Sequence, residues 1–232
     1  MKFLYVAQTL IAFALATPVP ETAVAVDLQN REDSIGISSV LVRDELRNGG
    51  GACPKAILIF ARGTMELDNM GLLVGPALAG GLEGMLGSNN LWVQGVGGQY
   101  AANLEGNLFP DGTPPKAIQE MLSLLQLADT KCPNSKIVTG GYSQGAALVA
   151  AAIRDVKASI RQKIVGTVLF GYTKNKQKNG QVENYSTDRL RVYCNAGDLI
   201  CQGTLIVLPA HLLYGDQAAG PAAQFLASKI NS

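Results

Sequence analysis

What this chain of 232 residues lacks narrows its function quickly. It has one histidine, and its four cysteines show no C-x-x-C spacing, so the sequence offers no metal-ligand cluster and neither a metal nor another cofactor is expected. Charge is sparse as well, at 16% of residues with a net charge of +1. Its Lys and Arg are scattered, and the basic stripe that nucleic-acid binding requires is missing, which excludes nucleic acid as an expected partner. The longest apolar run near the N-terminus, residues 3–15, falls short of the roughly 20 residues of a membrane span and runs at once into Thr17 and Pro18. There is no internal repeat and no low-complexity tract.

What is present is 47% hydrophobic content, enough for one substantial core and hence one domain. Lys2, the apolar run and the small residues Ala14-Leu15-Ala16 fit a signal peptide over residues 1–16, which implies secretion. Residues 17–31 have two prolines and no periodicity, and read as a propeptide or flexible arm ahead of a single domain over 32–232. Cysteines without a metal pattern then read as disulfides of an oxidising compartment. Asn184-Tyr185-Ser186 matches an N-glycosylation acceptor, with a plain loop as the alternative.

Five short runs are almost continuously apolar: "AILIFA" (56–61), "LWVQGV" (91–96), "KIVTGG" (136–141), "GTVLFGY" (166–172) and "LRVYCN" (190–195). Such runs predict strands covered on both faces. Helical spacing follows over 115–131, where Ile118, Met121, Leu122 and Leu125 recur, and helices are also expected over 144–158 and 217–231. The alternation predicts an α/β fold: a three-layer sandwich with a central five-stranded parallel sheet flanked by helices. Its active site belongs at the carboxyl ends of the strands. Cys53 and Cys132 each precede a strand, whereas Cys194 and Cys201 end or follow the last one, so the expected pairs are Cys53 with Cys132 and Cys194 with Cys201. The long loop would contribute about 4.5 kcal/mol and the short one about 2.5 kcal/mol on the chain-entropy model.

Gly141-Tyr142-Ser143-Gln144-Gly145 matches G-x-S-x-G. With 26 glycines in the chain the pattern arises by chance fairly often, so its context carries the weight. A strand before it and a small-residue helix after it are what a nucleophile elbow needs, and a helix N-terminus directs the Gln144 backbone N–H toward a developing oxyanion. The only base available is His211, placed after the last strand. The third member must be a carboxylate between them. Asp155 lies well down a helix, while Glu183 and Asp188 precede the last strand, at the wrong edge. Asp198 follows that strand and is the expected partner. In the loop after the first strand, Thr64 is the candidate second oxyanion donor, with an ordinary turn residue as the alternative.

With these residues placed, the sequence resembles the fungal-type cutinases, small secreted serine esterases of the α/β-hydrolase class. "FARGT", "WVQGVGG", "GYSQG", "GTVLFGYTKN", "CNAGDLIC" and "PAHLLYG" carry the resemblance, over roughly residues 43–230. It implies hydrolysis of cutin, the hydroxy-fatty-acid polyester of plant cuticle, and of short-chain and lipid-like esters, by a monomer without a large lid. It also implies Ser143, Asp198 and His211 as triad and Thr64 with Gln144 as oxyanion hole, with Asn107 holding the Thr64 side chain. Leu104, Tyr142, Leu205, Val207 and Leu212 would meet the substrate, with ordinary core as the alternative for the four aliphatic residues. The chain departs from the usual family pattern at Thr64-Met65, where Ser-Thr is the rule, and at Asp68, where glycine is. Threonine keeps the hydroxyl, but its β-branch restricts χ1. The competing readings are another secreted esterase, such as an acetylxylan esterase or small lipase, and a non-catalytic secreted effector. A single Trp argues against a carbohydrate platform.

Overall fold

The computed structural model describes residues 40–232, so the expected signal peptide and arm lie outside the described residues. Strands β1 (Ala56–Ala61), β2 (Leu91–Gly95), β3 (Lys136–Tyr142), β4 (Ile164–Phe170) and β5 (Leu190–Tyr193) form one sheet in the order β2-β1-β3-β4-β5. Every pairing is parallel. The main helices are α1 (Gly75–Leu86), α2 (Pro115–Lys131), α3 (Gln144–Asp155), α4 (Ala158–Lys163) and α5 (Ala223–Asn231).

The pleat sends alternate residues of β1 to opposite faces, and both faces are apolar. Ile57, Ile59 and Ala61 pack with Met121 and Leu125 of α2, Val149 of α3 and Ile160 of α4. Leu58 and Phe60 pack on the other side with Leu78 and Leu82 of α1 and Leu226 and Ile230 of α5. Each such large side chain taken fully from water contributes about 1.5–3 kcal/mol, so the two layers together hold the sheet between helices.

Several boundaries differ from expectation. β4 begins at Ile164, two residues early, and β5 stops at Tyr193 because Cys194 already enters a disulfide turn. The helix expected over 144–158 ends at Asp155, where Val156 turns extended (ψ 149°), and α4 starts afresh at Ala158. The closing helical region begins at Gly215 and loosens into a wider turn over Ala218–Ala222, where Pro221 has no N–H to donate. α1 had no sequence signal, since Gly80, Gly81 and Gly84 lower its helix propensity, and packing of Leu78, Ala79 and Leu82 holds it instead. Both expected disulfides form, Cys53–Cys132 and Cys194–Cys201.

Candidate active site

β3 ends at Tyr142 and α3 begins at Gln144, leaving Ser143 alone to reverse the chain at φ 56°, ψ −118°. That backbone costs about 1–3 kcal/mol in a non-glycine residue. The surroundings enforce it: Ser143 N–H donates to the Phe170 carbonyl at 2.8 Å, and the Ser143 carbonyl accepts from Ala146 N–H at 3.0 Å. A Cβ on Gly145 would lie 2.0 Å from the Ala61 carbonyl oxygen, and one on Gly141 would lie 2.5 Å from that of Gly145. Glycine at both flanks is therefore what lets α3 start against β1.

Asp198 and His211 arrive from two loops beyond β5. The Cys194–Cys201 bridge closes the first, and Asp198 Oδ1 accepts the Ile200 N–H at 2.9 Å within it. His211 sits in a short helical turn, Pro209–Leu212. Its Nδ1 lies 2.8 Å from Asp198 Oδ2 and its Nε2 lies 3.0 Å from Ser143 Oγ. Asp198 and His211 are each 2% exposed and Ser143 8%, so water reaches the row of groups only from the serine end.

Two tyrosines enclose the imidazole. The Tyr142 ring stacks on it with centroids 5.1 Å apart, and its hydroxyl donates to the His211 carbonyl at 2.9 Å. Tyr214 meets the ring edge-on and donates to Asp198 Oδ2 at 2.5 Å, while its oxygen accepts the Asn195 N–H at 3.0 Å. Burial pushes both phenols above the ordinary tyrosine range, and the Asp198 hydrogen bond raises Tyr214 further. Each therefore stays a neutral donor wherever an imidazole titrates.

Thr64 follows β1, close to the serine. Its Oγ1 accepts from Asn107 Nδ2 at 3.0 Å and from Gln144 Nε2 at 3.2 Å. A hydroxyl has two acceptor sites and one proton, so with both sites filled the proton is free to donate elsewhere. The loop carrying Thr64 is held by Glu66, whose carboxylate accepts from Gly63 N–H at 2.7 Å and from Leu72 and Leu73 N–H at 2.9 Å each. Arg62 braces it further, donating to the carbonyls of Glu66 at 2.9 Å and Val96 at 3.2 Å.

These groups open into a cleft of about 160 Å³ lined by Thr64, Leu104, Ser143, Leu205, Val207 and Leu212, among others. The four aliphatic residues are exposed rather than core, at 66% for Leu104, 55% for Leu205, 56% for Val207 and 47% for Leu212. Met65, Leu67, Leu108, Ile206 and Leu213, close in sequence to residues that line the cleft, are also exposed apolar side chains. Tyr142 lines the cleft too, but its hydroxyl is committed to His211. The structure thus brings together all the site residues expected from sequence. It adds Tyr214, Glu66 and Thr173, which sequence reasoning missed. Tyr214 stood inside the quoted "PAHLLYG" block, yet nothing local indicates which carboxylate a phenol will meet. Among the described residues no metal-holding group of His, Cys, Asp and Glu occurs, and no helix is long and apolar enough to cross a membrane.

The profile of the cutinase family matches residues 52–230. The chain is 49% identical to a cutinase of Fusarium solani subsp. cucurbitae over 223 residues, covering 95% of this chain and 96% of that one. The chain belongs to the cutinase family. Membership makes it a serine-type carboxylic ester hydrolase, as the Ser143, His211 and Asp198 geometry leads one to expect. Among solved structures, the Trichoderma reesei cutinase in complex with a C11Y4 phosphonate inhibitor superposes with a TM-score of 0.72 at 31% identity, over 92% of each chain. An acetylxylan esterase reaches a TM-score of 0.60 at 18% identity, covering 77% of this chain and 100% of that one, and shares the fold alone.

Proposed function

We propose that this cutinase-family chain is secreted and, as a monomer, hydrolyses the ester bonds of cutin and of short-chain soluble esters through an acyl-enzyme. The observation that carries the proposal is the continuous hydrogen-bonded row from Asp198 Oδ2 through His211 to Ser143 Oγ, opening into an apolar cleft. His211 takes the serine proton as Oγ attacks the ester carbonyl, and Asp198 holds the tautomer and stabilises the imidazolium. The oxyanion rests against the Gln144 backbone N–H and the Thr64 hydroxyl, whose proton is turned outward by Asn107 and the Gln144 side chain. His211 then protonates the leaving alcohol, and water activated by the same base releases the acid. No cofactor takes part. The acyl chain lies along Leu104, Leu205, Val207 and Leu212, and the exposed rim seats the site on an apolar polymer surface.

An acetylxylan esterase shares the fold, but the exposed large hydrophobic side chains lining this cleft, Leu104, Leu205, Val207 and Leu212 among them, are aliphatic, which favours a fatty polyester. The signal peptide (1–16), the arm (17–31) and a single domain from residue 32 belong to the same proposal, and the two disulfides fit an oxidising destination. The test is release of soluble hydroxy fatty acids from purified insoluble cutin by the wild type and by Ser143→Ala. Release by the first and none by the second is expected. Activity on p-nitrophenyl butyrate with no release from cutin would overturn the polyester assignment and leave the esterase.

A further inference from the structure

We propose that Asn184 carries an N-linked oligosaccharide, at the edge of the molecule opposite its catalytic mouth. This inference rests on the secretion reading above, because the modification is made in the secretory pathway. Asn184-Tyr185-Ser186 is the one Asn-X-Ser/Thr sequence in the chain with X other than proline. The structure adds what the three letters cannot say. Asn184 lies at a turn with φ 61°, a conformation asparagine tolerates better than most residues, and both Asn184 and Ser186 are exposed. Between them Tyr185 turns inward and donates its hydroxyl to the Ile164 carbonyl at 3.0 Å, so the tripeptide is anchored at its centre and presents its two polar ends outward. The Ser186 hydroxyl is engaged only by the neighbouring exposed Asp188, a contact a surface side chain gives up readily.

Placement makes the site compatible with the activity. Ile164 is the first residue of β4, and the Phe170 carbonyl at the far end of the same strand accepts the Ser143 N–H. Six strand steps separate the tripeptide's anchor from the serine, about 20 Å at strand rise. Arg189, just beyond the tripeptide, donates to the Gln162 carbonyl at 3.1 Å and fixes this segment to the same edge. A bulky, hydrated glycan there leaves the apolar rim free to meet a polymer surface.

The chemistry is a transfer to nitrogen. The Asn184 side-chain nitrogen attacks the anomeric carbon of a lipid-pyrophosphate-linked oligosaccharide. The C–N bond forms, the C–O bond to pyrophosphate breaks, the amide nitrogen loses one proton, and the lipid pyrophosphate leaves; nothing is oxidised or reduced.

The full chain, expressed behind its own N-terminus in a yeast secretory host, is compared with Ser186→Ala, Ser186→Thr and Asn184→Gln before and after peptide N-glycosidase. The expected result is wild type in the medium that gains mobility on treatment, with Asn184 converted to aspartate in the released peptide. Ser186→Thr should behave the same way. Ser186→Ala, which leaves the turn residue in place, should show no shift and full activity on p-nitrophenyl butyrate, and this holds whether or not Asn184→Gln folds. Wild type in the medium with Asn184 unmodified would overturn the glycan and spare secretion. Wild type retained inside the cell and unmoved by the glycosidase would overturn secretion and the glycan with it.

Discussion

Tyr214→Phe removes one oxygen atom from the molecule and tests how the triad carboxylate is governed. Asp198 Oδ2 has two donors, His211 Nδ1 at 2.8 Å and the Tyr214 hydroxyl at 2.5 Å, while Oδ1 has the Ile200 N–H. A hydrogen bond to a charged group contributes about 1.5–3 kcal/mol, and the substitution also leaves the Asn195 N–H without its phenol acceptor. Melting should fall by about 4–10 °C for a domain of this size. Stability alone would not show a role in the reaction. The phenol proton draws charge from the oxygen that faces the imidazole, so its loss strengthens the pairing between Asp198 and a protonated His211. Glu66 and the Tyr142 phenol also face this region, and the substitution leaves both in place. The acid limb of kcat/KM for p-nitrophenyl butyrate should therefore move to higher pH by about half a unit, equivalent to about 0.7 kcal/mol. The assay is a profile from about pH 4 to 9 beside a melting curve. A lowered melting temperature with an unmoved or acid-shifted limb would refute the reasoning and leave Tyr214 a packing residue.

Thr64→Ala should lower kcat by about 100-fold with KM little changed, whereas Thr64→Ser should retain most activity; a loss under about threefold would mean that backbone donors alone hold the oxyanion. Ile206→Asp places a charge on the exposed rim outside the cleft lining, so hydrolysis of insoluble cutin should fall severalfold while soluble ester turnover holds, and parallel losses would count against a polymer-facing rim. Arg154 hydrogen-bonds Asp111 and holds its carboxyl below the ordinary value of 3.8, so this pair stabilises the folded chain above that pH and the contribution is lost as pH falls through the lower folded value. Asp111→Asn should melt slightly below wild type near pH 7, by no more than about 1 kcal/mol for a partly exposed pair, and the two should converge near pH 2; a difference that persists there would assign the effect to packing.

Some of this protein was decided residue by residue along the chain. Continuous apolar runs mark strands covered on both sides, because each strand carries its own hydrophobic record. The same local logic read the serine elbow between glycines, located α2 to the residue from its spacing, and, through the order of strands and loops, found the disulfide partners and the histidine. Where the local signal was weak or contradictory, tertiary packing decided. α1 is helical despite its glycines because its apolar face meets the sheet, and the helix after Ser143 breaks at Val156 without any residue that announces it. The supporting shell was beyond sequence for a related reason. Tyr214 acts through hydrogen bonds to Asp198 and Asn195, brought within reach only when separate loops converge, whereas Glu66 ties together backbone N–H groups of its own loop in a pattern no motif announces; the apolar residues at 104, 205, 207 and 212 became a cleft rather than core once the sheet edge left them facing water. Periodicity and motif are properties of neighbours in the chain, whereas the partner of a buried polar group is a property of neighbours in space.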